Sequence, residues 1–329
     1  MSRSVVVTQR FFDDAARAFL EESGCEVAVA DLPSGKGDGD FTQAELEALL
    51  AGAAGWIVGH ARVTRPLLAA LPQLQIISRR GVGYERVDLE AARELGKVVA
   101  IAAGGNDASV ADHTIALMLA VGRRFRESQA AMQAGNWSIL TGSDLYRKTV
   151  GVVGAGRIGR SVVQRLSGFE ARVLVHSPRP DEAWATAAGV TYADLPTLLA
   201  QSDVLTLHAP LTAATRFMID QAALAAMKPG AILINTARGG LVDDRALLAA
   251  LESGRLGGAG LDTFMSESNP DWAPVTQALL ARGDVVASPH AAASSREGLE
   301  RTNMVAARSV VAVLDGGDPA AGCVVADGR

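Results

Sequence analysis

The sequence predicts an α/β fold made of two doubly wound parallel-sheet domains. Three observations predict it. Short β-branched runs alternate with Ala/Leu/Glu stretches, the alternation restarts once after an interruption, and 329 residues suit two domains of ordinary size. At 49% hydrophobic and 20% charged residues the chain is too apolar to be disordered. A net charge of −5 predicts neither a nucleic-acid nor an anionic-membrane partner.

The first strand is expected at Val5–Thr8, where the apolar run ends before Arg10, Asp13 and Asp14 and is too brief for a signal-peptide core. Strands follow at Val27–Ala30, Trp56–Val58, Ile76–Ser78 and Val98–Ile101, and the glycine-punctuated Pro33–Asp40 reads as a loop. Asp88 and Gly96 bracket Leu89–Leu95 as the caps of a short helix. After the irregular Ala103–Asp107, the stretch from Ser109 to about Ala134, with no Pro and one Gly, predicts a single long helix. The polar arm Asn136–Lys148 follows it, and together they form a hinge between domains. The second alternation places strands at Thr149–Val153, Arg172–Val175, Val204–Leu207, Ala231–Asn235, Ala259–Leu261 and Val285–Ala287. A helical tail, Ser294–Leu314, is long enough to pack back on the first domain.

Cys25 and Cys323 stand far apart in no CxxC pattern, which predicts reduced thiols and a cytoplasmic setting. The densest apolar run, Ile115–Val121, lies between His113 and Arg123 and is too short to span a membrane. No His/Asp/Glu group has metal-ligand spacing, so no metal is expected, and no GxSxG elbow supports serine hydrolysis. His113 and His208 read as packing or supporting groups, His60 and His176 as loop residues.

Gly154-Ala155-Gly156-Arg157-Ile158-Gly159 directly follows the strand Thr149–Val153 and opens a helix. In that setting the first glycine permits the tight turn, the second lets a pyrophosphate approach the backbone, and the third allows close helix–strand packing. This is the Rossmann dinucleotide turn. At the end of the next strand, where an NAD site carries a carboxylate for the ribose hydroxyls, stands Ser177, followed by Pro178 and Arg179. A small hydroxyl and a guanidinium suit a 2′-phosphate, so NADP is expected in preference to NAD, with nearby Asp181 keeping an NAD contact open.

Several segments in order resemble the D-isomer-specific 2-hydroxyacid dehydrogenase family. They are Gly81-Val82-Gly83-Tyr84 with Val87-Asp88-Leu89, Asn106 with Ser109-Val110-Ala111, the Gly154–Gly159 turn, His208–Thr212, Asn235–Gly240, Leu261-Asp262 with Glu267, and Ser288-Pro289-His290. The resemblance implies a flavodoxin-like substrate domain of residues 1–103 and 292–329, an inserted Rossmann cofactor domain of residues 104–291, a hydride-transfer cleft and a homodimer. It places the catalytic roles on Arg238, Glu267 and His290. The substrate carboxylate falls to the backbone of Val82 and Gly83 along with Arg238 and His290, and the nicotinamide carboxamide to Asp262. Further cofactor contacts are implied at His208, Pro210, Thr215, Thr236, Ala237, Arg238 and His290. The sequence departs from the family pattern at Glu85, Arg86, Asp112, Ser268 and Ala291–Ala293, which bears on the substrate pocket.

The residue types fit that chemistry. Arg238, just past a strand end, can hold a carboxylate with its planar fork while polarising a carbonyl. An imidazole at His290 can donate and accept the proton, and Glu267 would fix its tautomer and stabilise the imidazolium. The leading expectation is a glyoxylate/hydroxypyruvate reductase-like enzyme moving hydride between a nicotinamide cofactor and a small 2-oxo or D-2-hydroxy acid. The chain ends at Arg329, where longer phosphoglycerate dehydrogenases would carry a regulatory domain. Phosphoglycerate or phosphite oxidation is the enzymatic alternative, a formate-type enzyme being disfavoured because such relatives carry Gln where Glu267 stands. An NAD(P)-sensing corepressor-like binding protein is the non-enzymatic alternative.

Overall fold

The structure, a computed structural model, describes residues 3–32 and 36–329. The first part of the expected loop, Pro33–Gly35, lies outside the described residues, as do Met1 and Ser2. The chain divides into two compact units, Met1–Asn106 with Ala293–Arg329, and Asp107–Ala292.

The first unit holds β1 (Ser4–Val7), β2 (Glu26–Val29), β3 (Gly55–Val58), β4 (Ile76–Arg79) and β5 (Val98–Ile101). These strands pair in parallel in the order β5-β4-β3-β1-β2. β3 and β4 are buried along their whole length, which is why their apolar runs show no alternation. One face packs Val6, Trp56, Val58, Ile77 and Val99 with Leu46, Leu67 and Leu68; the other packs Val5, Val7, Ile57 and Ile76 with Leu20, Ala306 and Val310. The second set includes the tail helix, Arg296–Leu314, which docks closely because Ser78 Oγ donates to Ala306 O (3.1 Å) and Gly55 leaves room for Val310. The short helix forms as expected over Leu89–Glu94, with Asp88 Oδ1 accepting from Ala91 N at 2.8 Å.

The remaining strands of the second unit are β6 (Thr149–Val153), β7 (Arg172–His176), β8 (Thr191–Tyr192), β9 (Val204–Leu207), β10 (Ala231–Asn235), β11 (Leu256–Leu261) and β12 (Val285–Ala287). They form an all-parallel sheet in the order β12-β11-β10-β9-β6-β7-β8. A last strand, β13 (Val324–Asp327), belongs to the first unit and pairs antiparallel with β5, so that sheet is not purely parallel. In each sheet the order reverses beside the first strand of the unit, β1 or β6, the switch point where such folds bind ligands at carboxyl ends.

One expectation is corrected. The single helix from Ser109 to Ala134 is two helices, Asp107–Gly122 and Phe125–Gln133, broken at Arg124 in a left-handed conformation (φ 54°). The first buries a row of side chains from Ser109 to Val121 and the second buries none, so the chain leaves the core at Gly122 and turns. The chain passes from one compact unit to the other after Asn106 and again after Ala292. Gly105 is held in the first unit because its carbonyl accepts from Arg301 Nε (3.0 Å) and it packs against the Thr302 backbone. Among the described residues no helix is long and apolar enough to cross a membrane.

Candidate active site

The glycine turn is built at the switch point of the second sheet. Gly154 N donates to the carbonyl of His176, the last residue of β7 (2.8 Å). Gly154 has φ 105°, and a Cβ there would come within 2.5 Å of the His208 carbonyl beyond β9, so only glycine fits. Gly159 is buried under the Gly154 carbonyl, and Ile158 packs into the sheet's hydrophobic core. Gly156 caps the helix Arg157–Leu166 without any side-chain bond, and a Cβ on it would meet nothing within 4 Å. Open space therefore faces uncapped helix N–H groups, with Arg157 exposed beside them, and this cradle fits a dinucleotide pyrophosphate.

At the end of β7, Ser177 Oγ lies 3.3 Å from Arg179 O, closing a small turn that leaves Arg179 exposed with no acidic partner among the described residues. Asp181 is engaged elsewhere. It accepts from Trp184 N (3.0 Å) and from Arg160 Nη2 (2.8 Å), and these bonds hold its carboxyl below the usual range. His208 bonds Thr206 Oγ1 (2.9 Å), and desolvation pushes its imidazole down to about 3, so it is neutral. Thr215 Oγ1 closes its own turn on Pro210 O (2.6 Å), and Thr236 Oγ1 faces Thr114 Oγ1 in the core (2.9 Å). Thr236 can therefore meet a cofactor through its backbone only.

Arg238, Glu267 and His290 arise from the loops after β10, β11 and β12. Asn235, the last residue of β10, donates Nδ2 to Arg238 O (2.9 Å) and accepts from Ala237 N (3.1 Å), which fixes the turn carrying Arg238. Arg238 Nη1 donates to Ala237 O (2.7 Å). Glu267 Oε1 accepts from Phe264 N (2.7 Å) and its Oε2 pairs with His290 Nδ1 (2.6 Å). Burial works to raise the Glu267 carboxyl, but the His290 bond and charge, the Phe264 amide and the charge of Arg238 outweigh it, so Glu267 stays ionised.

Further groups hold this trio in place, and one of them, Asp244, sequence reasoning missed. Asp244, almost wholly buried, accepts from Met265 N (3.0 Å) in the turn that carries Glu267; burial, with Asp243 and Glu267 nearby, pushes its carboxyl up to about 6. Asp262 is fully buried and accepts from Ser288 Oγ (2.6 Å), Ala291 N (2.7 Å) and Ala292 N (3.0 Å), while its carbonyl accepts from His290 N (2.8 Å). His113 Nε2 meets Ser288 Oγ at 2.7 Å. Both Asp262 oxygens thus pin the histidine turn. His290 sits there at φ 53°, an uncommon conformation for a side-chain-bearing residue and a mark of functional sites. Asp262 and Ser288 lie in segments that the resemblance had marked, and His113 was read as a packing or supporting group; Asp244 had only its place beside Asp243 at a helix start as a signal. In the first unit, Val82 and Gly83 are half-buried beyond β4, and their N–H groups make no hydrogen bond to a described residue. Among the described residues no group of His, Cys, Asp and Glu could hold a metal ion.

The family model for the D-isomer specific 2-hydroxyacid dehydrogenase, NAD binding domain, matches residues 115–292. The chain belongs to this family. It is 41% identical over 256 residues to D-3-phosphoglycerate dehydrogenase of Mycobacterium leprae, covering 77% of this chain and 48% of that one. It thus spans about half the length of the first curated relatives it matches. To (S)-sulfolactate dehydrogenase of Chromohalobacter salexigens it is 37% identical over 314 residues, 93% of this chain and 97% of that one. Among solved structures, the TT0316 protein of Thermus thermophilus superposes with a TM-score of 0.85 at 37% identity, covering 98% and 99% of the two chains. As a family member the chain has the family's two-unit α/β fold, with the NAD binding domain in the second unit.

Proposed function

We propose that this 2-hydroxyacid dehydrogenase reduces small 2-oxo acids to D-2-hydroxy acids, reversibly, with NADPH preferred over NADH. The observation that carries the reading is the 2.6 Å contact between His290 Nδ1 and Glu267 Oε2, set beside the Arg238 turn. A nicotinamide dinucleotide bound on the Gly154–Gly159 turn supplies the hydride. Arg238 holds the substrate carboxylate and polarises the carbonyl as negative charge develops on its oxygen. Glu267 fixes the imidazole with Nδ1 toward itself, so the proton passes to the carbonyl oxygen from Nε2, and His290 returns as the base in the oxidative direction. Asp262 and Ser288 keep the turn rigid so that this nitrogen stays in place.

The NADP preference is supported by Ser177 and exposed Arg179 at the end of β7, with Asp181 committed to Arg160 and Trp184. Phe125, Met132, Trp137 and Ile139 are exposed on the second helix and the arm, and this apolar surface supports a homodimer; light scattering of a Trp137→Ser, Ile139→Ser variant should show monomers. Two buried free thiols, Cys25 and Cys323, are in keeping with the cytoplasm. The deciding experiment is the initial rate of NADPH and NADH oxidation against glyoxylate, hydroxypyruvate, pyruvate, phenylpyruvate and phosphohydroxypyruvate, with His290→Ala as control. General acid catalysis is worth about 10²- to 10⁴-fold, so the variant should lose at least 100-fold in turnover and keep its cofactor affinity. Near-normal turnover in His290→Ala would refute the assignment.

A further inference from the structure

The loop Arg80–Arg86, beyond β4, carries two guanidinium groups that the reduction described above does not use. Arg80 follows the last residue of β4, and its backbone N–H is fixed on Val58 O (3.0 Å) at the neighbouring end of β3. Its side chain is half-buried and makes no hydrogen bond or ion pair to a described residue. Burial lowers its basicity, and only the charge of Asp38 opposes that effect. Asp38 does not satisfy it, because that carboxylate is spent on Gly59 N (2.6 Å), His60 N (2.6 Å) and Thr8 Oγ1 (3.2 Å). Arg86, exposed on the same loop, gives one N–H to His60 O (3.1 Å) and has no acidic partner among the described residues.

The Arg80 guanidinium is partly screened from water and has no acceptor among the described residues, so it can take one from a ligand. Its place in the fold suits that use. It stands at the carboxyl edge of the first sheet, where doubly wound folds take their ligands. Gly81, the next residue, has open space on its Cβ side. Val82, whose amide is unengaged, is two residues along, so the two Cα atoms lie at most about 7.6 Å apart. An anion on the Val82 and Gly83 amides and a second anion on Arg80 would thus belong to one small molecule.

We propose that Arg80, assisted by Arg86, forms a subsite for a second anionic group, so that the preferred substrate is a dianionic 2-oxo acid bearing a phosphate, sulfonate or second carboxylate. The inference rests on the 2-oxo acid reading and narrows its substrate class. The planar fork of an arginine matches such oxyanions with paired bonds.

The test compares kcat/KM for phosphohydroxypyruvate, a dianion, with that for hydroxypyruvate, in the wild type, Arg80→Met and Arg80→Lys. A charge-assisted contact changes affinity about 10- to 100-fold. The dianion-to-monoanion ratio should fall by that factor in Arg80→Met, mainly through KM, with Arg80→Lys in between. Calorimetric titration with inorganic sulfate gives a readout independent of turnover, and binding should weaken in both variants. An unaltered ratio or unaltered sulfate binding in Arg80→Met overturns the subsite. If Arg80→Met does not fold, Arg80→Lys decides by the same two measurements. A wild type that reduces neither acid, yet binds sulfate through Arg80, refutes the 2-oxo acid reading and leaves the subsite standing.

Discussion

Replacing Asp244 with Asn should make the protein more stable, and by an amount that depends on pH. The carboxyl ordinarily titrates near 3.8, and in the fold burial, with Asp243 and Glu267 adding repulsion, pushes it up to about 6. At about 1.4 kcal/mol for each tenfold change in a protonation equilibrium, the ionised side chain costs the folded state on the order of 3 kcal/mol. Between pH ~4 and ~6 the folded chain keeps a proton that the unfolded chain has released, so stability falls as pH rises through that window. Below it the cost is absent; above it the cost is complete. Asn cannot ionise, and its Oδ1 can still accept from Met265 N, which now bonds Asp244 Oδ2 at 3.0 Å. The advantage of Asp244→Asn should be small near pH 4 and grow to about 3 kcal/mol at pH 8, a melting rise of roughly 6–12 °C for a unit of this size. Thermal denaturation of both proteins across pH 4–8 measures it directly. A melting difference that does not change with pH refutes the reasoning.

Other perturbations follow from the same geometry. Asp262→Ala removes the acceptor of Ser288 Oγ, Ala291 N and Ala292 N, and should cost about 3 kcal/mol or more in urea denaturation; a loss under about 1 kcal/mol would show that the turn does not depend on it. Glu267→Gln keeps the shape but removes the charge on His290 Nδ1, and should lower kcat about 10- to 100-fold with little change in cofactor affinity; an unaltered kcat would dismiss Glu267. Ser177→Asp with Arg179→Ala should move the NADPH-to-NADH preference at least about tenfold toward NADH, and a constant ratio would count against the phosphate pocket.

Much of this architecture was legible in the residues. Strands such as Val150–Val153 and Ile232–Ile234 are β-branched runs buried on both faces, and such runs announce themselves without tertiary context. The glycine turn was legible because steric exclusion at Gly154 and Gly159 tolerates no other residue. What escaped depends on partners distant in sequence. β8 is two residues long, and β13 exists because Val324 and Ala326 find Ala100 and Val99 on β5. The break comes where burial ends: the first helix stops at Gly122 and Arg124 turns left-handed, a change that one glycine in the run did not mark. Asp244 acts by bonding Met265 N across a turn, and no spacing rule encodes that bond or the one between His113 and Ser288.

The antiparallel pairing of β13 with β5 also bears on how the chain is made. Synthesis delivers β5 long before β13, and the whole of Asp107–Ala292 emerges between them. That contiguous unit has every element it needs to fold while the ribosome is still working. The first unit must wait with the β5 edge unpaired and with the faces of Val5, Ile57 and Ile76 lacking Ala306 and Val310. An exposed parallel edge of this kind is what chaperones bind and what aggregates when they do not. The nascent chain is therefore most vulnerable during the final stretch of translation, and a stall ahead of Arg296 would release a finished nucleotide-binding unit tethered to an open, sticky sheet.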